Sequence, residues 1–521
     1  MPDTAVQPRA FSPAGATQQA VVAAVDLGSN SFRLQVGRVV DDQIYPLDSL
    51  REPVRLAAGL SADKRLDEQS QQRALDALHR FGERLRGFKP TAVRAVGTNT
   101  LRVAKNASDF LERAEAALGF PIEVVAGKEE ARLIYLGVSH SLPPTPEKRM
   151  VVDIGGGSTE FIIGSGYKPQ KLESLYMGCV SYTLRHFEGG RITKGALKQA
   201  ELAARIELQT IEREFSRGHW KQAVGSSGTA RTIGDVIAAN GWANGGITRE
   251  GMDRMRALLL KAGDVERLDL PGLKADRAQV LPGGFAIMLA IFEELEVRDM
   301  ILATGAMRQG ILYDMLGRFH QKDMRDTTVR QFKKRYHVDV VQANRVATLA
   351  LEFHAALAGK SARDDEAARH LLAWAALLHE IGLTVAHAGY HRHSAYILAN
   401  ADMPGFAKME QQHLSLLVLA HRGALEKVRP LVTGPADWPM IMALRLACLF
   451  HRSRSSVELP AISAAFRDRV FEIDLPADWL ARYALTAAAL RSEIREWRSI
   501  GFELSIPALD ELEGSFDPAV E

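Results

Sequence analysis

Apolar and polar positions alternate with two different periods along this chain. "AVVAAVD" (20–26) is an apolar run of strand length, and "SFRLQVGRV" (31–39) places Phe32, Leu34 and Val36 on one face, the period of a strand. Gly28, Ser29 and Asn30 lie between them, so the pair reads as a hairpin. "RALDALHRFGERLRGF" (73–88) sets Leu75, Leu78, Phe81 and Leu85 near helical spacing and stops before Pro90. A strand at "TAVRAVGT" (91–98), a helix at "ASDFLERAEAALG" (107–119) closed by Gly119, a strand at "FPIEVVAG" (120–127) and a helix opening at "EEARLIYLGV" follow. This alternation predicts α/β. A second unit begins at "RMVVDIGGG" (149–157). It continues through a helix near 195–215, a strand and turn at "QAVGSSGTA" (222–230), a helix at "GGFAIMLAIFEELE" (283–296) and a strand at "RDMILATGA" (298–306). From about residue 318 helical patterns follow one another, as in "EAARHLLAWAALLHEIGL", and this half reads as all-α.

The two units share a segment. "DLGSNSFRLQVG" (26–37) lies over "DIGGGSTEFIIG" (153–164) without a gap: Asp26 on Asp153, Gly28 on Gly155, Ser31 on Ser158, Gly37 on Gly164. Each copy is a strand, an acid, a Gly- and Ser-rich turn and a second strand. Two such copies suggest related domains facing each other across a cleft. Glycine allows positive φ and close backbone approach. Successive N–H groups and hydroxyls then form a nest for an anion. An acid beside a phosphate makes sense when a divalent cation sits between them, and Mg²⁺ typically takes one or two carboxylates plus phosphate oxygens. Because a strand and not a helix follows the glycines, neither loop is a dinucleotide fingerprint or a Walker A loop.

Composition narrows this further. The 521 residues predict several domains, and 46% hydrophobic with 25% charged content is that of a soluble globular protein. Net charge is only +2, from 65 basic and 63 acidic residues, so any polyanion site is local and nucleic acid is not an expected partner. Two cysteines, Cys179 and Cys448, exclude a disulfide framework. The first 19 residues lack a signal-peptide pattern and read as a disordered tail, and no stretch is apolar enough to span a bilayer. The expected location is cytoplasmic, with peripheral membrane association left open.

With these features in place, the strings "VDLGSNSFRL", "VGTNTLR", "GKEEARLIYLGV", "DIGGGSTE", "MGCVSYT", "GSSGTAR" and "LPGGFAI" resemble the exopolyphosphatase/guanosine pentaphosphate phosphohydrolase (Ppx/GppA) family. The paired motifs also resemble the ribonuclease-H-like domains of the actin/Hsp70/sugar-kinase superfamily. "LLHEIGL" and "HRHSAYIL" resemble the long members that carry an HD-like helical domain. The organisation implied is a tail (1–19), ribonuclease-H-like domains at 20–135 and 136–317, an HD-like helical domain at 318–445 and a small helical domain at 446–521. The activity implied is hydrolysis of the terminal phosphate of inorganic polyphosphate or of the 5′-γ-phosphate of guanosine pentaphosphate. The loop "GGGSTE", with Gly157 where the pentaphosphate enzymes tend toward alanine, leans toward polyphosphate as the main reading. A homodimer is typical of the long members.

The resemblance also assigns roles. Glu130 matches the family's catalytic base, while Glu129 is read as structural. Arg102 matches a phosphate-binding arginine and Arg277 is a second carry-over; the planar guanidinium fork suits phosphoryl oxygens. Gly28, Ser29, Asn30 and Ser31 are expected to form one phosphate cradle and Gly155, Gly156, Gly157 and Ser158 the other, with Gly228 and Thr229 lining the cleft. Asp153 and Glu160, assisted by Asp26, are the expected Mg²⁺ carboxylates, and K⁺ is the type of monovalent ion that could accompany it. In the helical half the HD pair is replaced by His379–Glu380, which implies a degenerate relative. Its basic clusters at 333–335, 391–393 and 422–429 are candidates for a polyanion path.

Overall fold

The longest apolar run of each α/β unit becomes the centre of a sheet. The computed structural model describes residues 20–514 except 41–42, 144, 244, 320–322, 359–364, 433 and 456–457. The expected tail lies outside them. The chain divides into two compact units between residues 321 and 322.

In the first unit β1 (Val21–Leu27) pairs antiparallel with β2 (Phe32–Val40), and β2 with β3 (Gln43–Glu52). On its other edge β1 runs parallel to β4 (Val93–Gly97), which pairs with β5 (Ile122–Val124). The second sheet repeats this plan with β6 (Arg149–Ile154), β7 (Thr159–Ser165), β8 (Lys168–Leu175), β9 (Gln222–Gly225), β10 (Ile247–Thr248) and β11 (Asp299–Leu302). Strand orders are β3-β2-β1-β4-β5 and β8-β7-β6-β9-β11-β10. Both hairpins have a register shift at the equivalent place, Val36/Gly37 and Ile163/Gly164. The repeat read from twelve residues is therefore a repeat of two ribonuclease-H-like domains. β3 and β8 escape the sequence pattern because they are edge strands, with few fully buried side chains to set a period.

The helices of this unit are α1 (Glu68–Arg84), α2 (Asn99–Val103), α3 (Ala107–Leu118), α4 (Gly127–Ser141), α5 (Cys179–His186), α6 (Lys194–Leu208), α7 (Glu212–Phe215), α8 (Gly228–Ala239), α9 (Arg249–Ala262), α10 (Ala275–Ala278), α11 (Leu281–Glu294) and α12 (Met307–Phe319). Asp67 caps α1 by accepting from the Ser70 N–H at 2.6 Å, and Gly119 ends α3 at φ 79°, the left-handed position that favours glycine.

Helix α4 runs across the 135/136 boundary expected between the two domains, so that boundary does not hold as a break, and it packs against α12. A Cβ added at Gly310 would lie 1.7 Å from the Leu133 carbonyl oxygen, and one at Gly137 would lie 2.0 Å from the Ala306 oxygen. Backbone therefore meets backbone, and Val22, Ala24, Leu133, Ile134, Ile311 and Leu312 fill a core shared by both sheets. Gly310→Ala forces the helices apart and is expected to destabilise the first unit by about 1–3 kcal/mol. An unchanged urea midpoint would contradict this contact.

A buried ion network crosses the same seam. Asp314 of α12 accepts from Arg94 Nη1 at 2.6 Å and Arg132 Nη2 at 2.5 Å, and Arg132 grips Glu129 at 2.7 and 2.8 Å. Glu129 is thus buried in an ion pair with Arg132.

The second unit is built on helices such as Val340–Leu357, Glu366–Leu378, Lys408–Ala420 and Asp437–Phe450. The stretch 446–521, expected to be helical, also holds a three-stranded sheet, β12 (Ser463–Arg467), β13 (Val470–Asp474) and β14 (Glu503–Ser505), in that order. Its hairpin turns on Asp468 and Arg469, with φ 47° and 70°. That turn normally advertises itself with Asn-Gly or Asp-Gly, and the missing glycine hid it. Phe471, Trp479 and Trp497 share one core with Trp374, Leu417 and Ile441, so this stretch has no separate core.

Candidate active site

The first glycine of each loop is held in the same way. A Cβ on Gly28 would lie 3.0 Å from the Ser31 carbonyl oxygen, and one on Gly155 would lie 3.0 Å from that of Ser158. The loops also face each other closely: a Cβ on Gly156 would lie 2.9 Å from Ser29 Cβ. Among these glycines none has a positive φ. Close approach, and not left-handed backbone, is what requires them.

Between the loops lies a cavity of about 140 Å³. Of the residues expected there, Asp26, Gly28, Ser29, Asn30, Ser31, Glu130, Asp153, Gly155, Gly156, Ser158, Gly228 and Arg277 line it. Four expected residues are outside its lining. The Gly157 backbone packs against Asn99, whose Oδ1 would lie 2.6 Å from an added Cβ. Thr229 donates to the Ile154 carbonyl at 3.1 Å. Glu160 is buried opposite Asp153 in the β6–β7 pair and accepts from Ser174 Oγ at 2.9 Å. Arg102 donates to Glu130 Oε2 at 3.1 Å and to the Val125 carbonyl at 2.8 Å, so in this arrangement it orients the candidate base.

Sequence reasoning missed Thr98, Ser226, Ser227, Arg33, Arg231 and Arg308, all of which line the cavity. A signal existed for the first three. "VGTNTLR" (96–102) and "VGSSGTAR" (224–231) are the loops after equivalent strands β4 and β9, a second internal repeat. Ser226 Oγ donates to Asp153 Oδ2 at 2.5 Å, Thr100 Oγ1 donates to Ser29 Oγ at 2.7 Å, and Ser227 caps α8 by accepting from the Ala230 N–H. That capped helix N-terminus at the cavity wall is a further place for an anion.

Burial pushes the Glu130 carboxyl up to about 7; nearby Asp26 and Asp153 add to this and Arg102 opposes it. Burial raises Asp153 to about 6 against the Ser226 hydrogen bond, and raises Asp26 and, well above its usual range, Glu160. A carboxyl near 7 suits a general base at neutral pH. Three carboxyls, Asp26, Glu130 and Asp153, line the cleft, and Glu160 is buried outside its lining. Among the described residues no three His, Cys, Asp or Glu side chains form a cage for a cation. The donor set fits Mg²⁺, which is content with one or two carboxylates and completes its shell with phosphate and water oxygens.

In the helical unit His379 is buried with Nδ1 on the Ala376 carbonyl at 2.6 Å, and Glu380 Oε1 is taken by Arg454 Nη2 at 2.5 Å. The altered HD pair is thus engaged by protein partners. Cys179 is buried and lines the cleft, Cys448 is half-buried, and both are free. Among the described residues no helix is long and apolar enough to cross a membrane.

Two facing ribonuclease-H-like domains with twin phosphate loops and a buried carboxyl near neutrality define an enzyme that works on phosphoanhydrides. The chain belongs to the Ppx/GppA phosphatase family: residues 35–319 match that family and residues 324–494 match its domain III. It is 37% identical over 493 residues to the guanosine-5′-triphosphate,3′-diphosphate pyrophosphatase of two Vibrio cholerae serotype O1 strains, covering 94% of this chain and 99% of theirs. An exopolyphosphatase from Cytophaga hutchinsonii has the same fold, with a TM-score of 0.52 at 24% identity, over 57% of this chain and 97% of that one.

Proposed function

We propose that the protein hydrolyses the terminal 5′-phosphoanhydride of guanosine 5′-triphosphate 3′-diphosphate, releasing orthophosphate. The observation that carries this reading is the 37% identity to the Vibrio cholerae guanosine-5′-triphosphate,3′-diphosphate pyrophosphatase over nearly the full length of both chains. It displaces the sequence preference for polyphosphate. That preference rested on the strings "GGGSTE" and "VGTNTLR"; Gly157 of the first packs against Asn99 outside the cavity lining, while Thr98 of the second lines it.

In this reading the backbone N–H groups and hydroxyls of the two loops hold the terminal phosphoryl group. Glu130, oriented by Arg102, accepts a proton from water as its oxygen bonds to the terminal phosphorus. The bridging P–O bond breaks and its electron pair leaves with the shortened chain. Asp153, with Asp26, would hold Mg²⁺, which neutralises phosphoryl charge when bound. Glu160, buried beside them, supports that carboxylate cluster. A cytoplasmic homodimer belongs to the same proposal.

One observation favours inorganic polyphosphate as the second reading. Among the described lining residues there is no aromatic ring on which a guanine could stack. The ratio of kcat/KM on the two substrates decides, since specificity is that ratio. The nucleotide is expected to give the higher value, and a higher value on long-chain polyphosphate would overturn the first reading.

A further inference from the structure

The helical unit holds a polar cavity of its own, of about 280 Å³, that hydrolysis in the cleft leaves unused. The buried side chains Gln342 and His379 form its floor, and the exposed Arg422, Arg452 and Arg454 form its rim. Floor and rim present opposite kinds of group.

The floor is made of acceptors. Gln342 is 3% exposed, its Nε2 donates to the His451 carbonyl at 2.7 Å, and its Oε1 is buried without a hydrogen-bond partner. Because the amide nitrogen must face that carbonyl, the orphan is the oxygen. His379 Nδ1 meets the Ala376 carbonyl at 2.6 Å, so the ring hydrogen sits on Nδ1 and Nε2 is left as an acceptor. Burial lowers His379 below the usual histidine range and keeps the ring neutral. Buried acceptors of this kind ask for N–H or O–H donors.

The rim carries surplus positive charge. Arg454 is committed already: Nη2 donates to Glu380 Oε1 at 2.5 Å and Nη1 faces Asp339 at 3.4 Å. Glu380 is the one carboxylate among the described lining residues. Among the described residues Arg422 and Arg452 have no ion pair, and the Arg422 guanidinium is held 5.5 Å from the centre of the Tyr390 ring. Guanidiniums at the mouth repel a cation, so the acceptors below them are not a metal site. They suit a phosphate, whose oxygens match the planar fork. An adjoining cavity of about 250 Å³ shares Glu380, Leu383 and Arg454, which leaves room for more than a bare ion. Arg454, common to both, holds φ 57°, a left-handed backbone that residues other than glycine seldom take.

We propose that this cavity binds a small phosphate monoester whose organic part carries N–H or O–H donors, with the phosphate on Arg422 and Arg452 and the donors on Gln342 Oε1 and His379 Nε2. It uses none of the cleft carboxylates, so it is a second binding site on the chain, separate from hydrolysis. Nucleotides and sugar phosphates share the chemistry it recognises.

Hydrogen–deuterium exchange of the full-length protein tests it, with guanosine 5′-monophosphate, glucose 6-phosphate, orthophosphate and tripolyphosphate as probes. At millimolar concentration at least one of the two esters should slow exchange in residues 379–390 and 448–454, and orthophosphate should do so much less. The ester concentration giving half of that protection should rise about tenfold in Arg422→Ala and in Arg452→Ala, the loss of one charge-assisted contact. Gln342→Met keeps the length, removes the acceptor and should raise it as well. Both arginines are exposed, so their variants carry the test where Gln342→Met fails to fold. Protection by one ester alone supports the site and identifies the organic part; protection by both supports it on the phosphate and the shared donors. Protection by neither ester overturns it, as does an unchanged midpoint in both arginine variants. Equal protection by orthophosphate also overturns it, because the floor would then play no part. So does stronger protection by tripolyphosphate than by either ester, because the arginines would then belong to a polyanion path.

Discussion

Glu130→Gln is expected to cost about 10²–10⁴ in kcat, the range for removing a positioned general base, while making the folded chain more stable at pH 8. Glu130 is 7% exposed, and among the described residues Arg102 is the one cation paired with it. Its carboxyl rises from 4.5 in the unfolded chain to about 7 in the fold, chiefly through burial. A raised acid binds its proton more tightly when folded. Its contribution to stability is therefore fully present below pH 4.5 and is lost as pH rises through about 7. Glutamine keeps the shape without the charge, so the gain at pH 8 is on the order of 3 kcal/mol, at 1.36 kcal/mol per unit, and closes toward pH 5. Urea unfolding of both chains at the two pH values checks the sign. A Gln variant less stable than wild type at pH 8 would contradict it.

Asp314→Ala is expected to be the most damaging change away from the cleft. Arg94, Arg132 and Asp314 are each at most 6% exposed at the side chain. The carboxylate joins β4 of the first domain and α4 to α12 of the second, and Glu129 and Glu123 complete the network. Removing it leaves two guanidiniums short of a partner where water cannot replace it. Breaking such a buried cluster costs about 3–5 kcal/mol, more than the pair's own net worth. The loss should appear in the urea midpoint of the first unit. Because Glu129 precedes Glu130 on α4, kcat is expected to fall as well. A midpoint within experimental error of wild type would show that the network is not what joins the domains.

The features legible in the sequence are those whose period or motif is local. β1, β2, β6 and β7 announce themselves by apolar runs, an acid and a Gly–Ser turn, and the gapless overlay of Asp26 with Asp153 anticipates the pairing of whole sheets. Glu130 was found through its motif; nothing in its local spacing separates it from a helix-start carboxylate such as Glu129. What the sequence hides is long-range. Arg102 reads as a phosphate ligand from its motif, and only the fold shows that it also meets Glu130, 28 residues away. Arg308 has no motif of its own and becomes visible only when the fold sets it in the cavity lining. Gly157 reads as a substrate cue, and only the fold shows how closely its backbone packs against Asn99. The edge strands β3 and β8 and the glycine-free turn at Asp468 lack the signals that periodicity and turn rules detect.

The pH dependence of kcat/KM for orthophosphate release, measured with Mg²⁺ on wild type and on Glu130→Gln from pH 5 to 9, bears most directly on water attack assisted by Glu130 in the cleft. The wild type should lose activity on the acidic side as Glu130 takes up its proton near 7, and the residual rate of the Gln variant should lack that limb. A Gln variant with wild-type rates, or with the same acidic limb, would contradict Glu130 as the base.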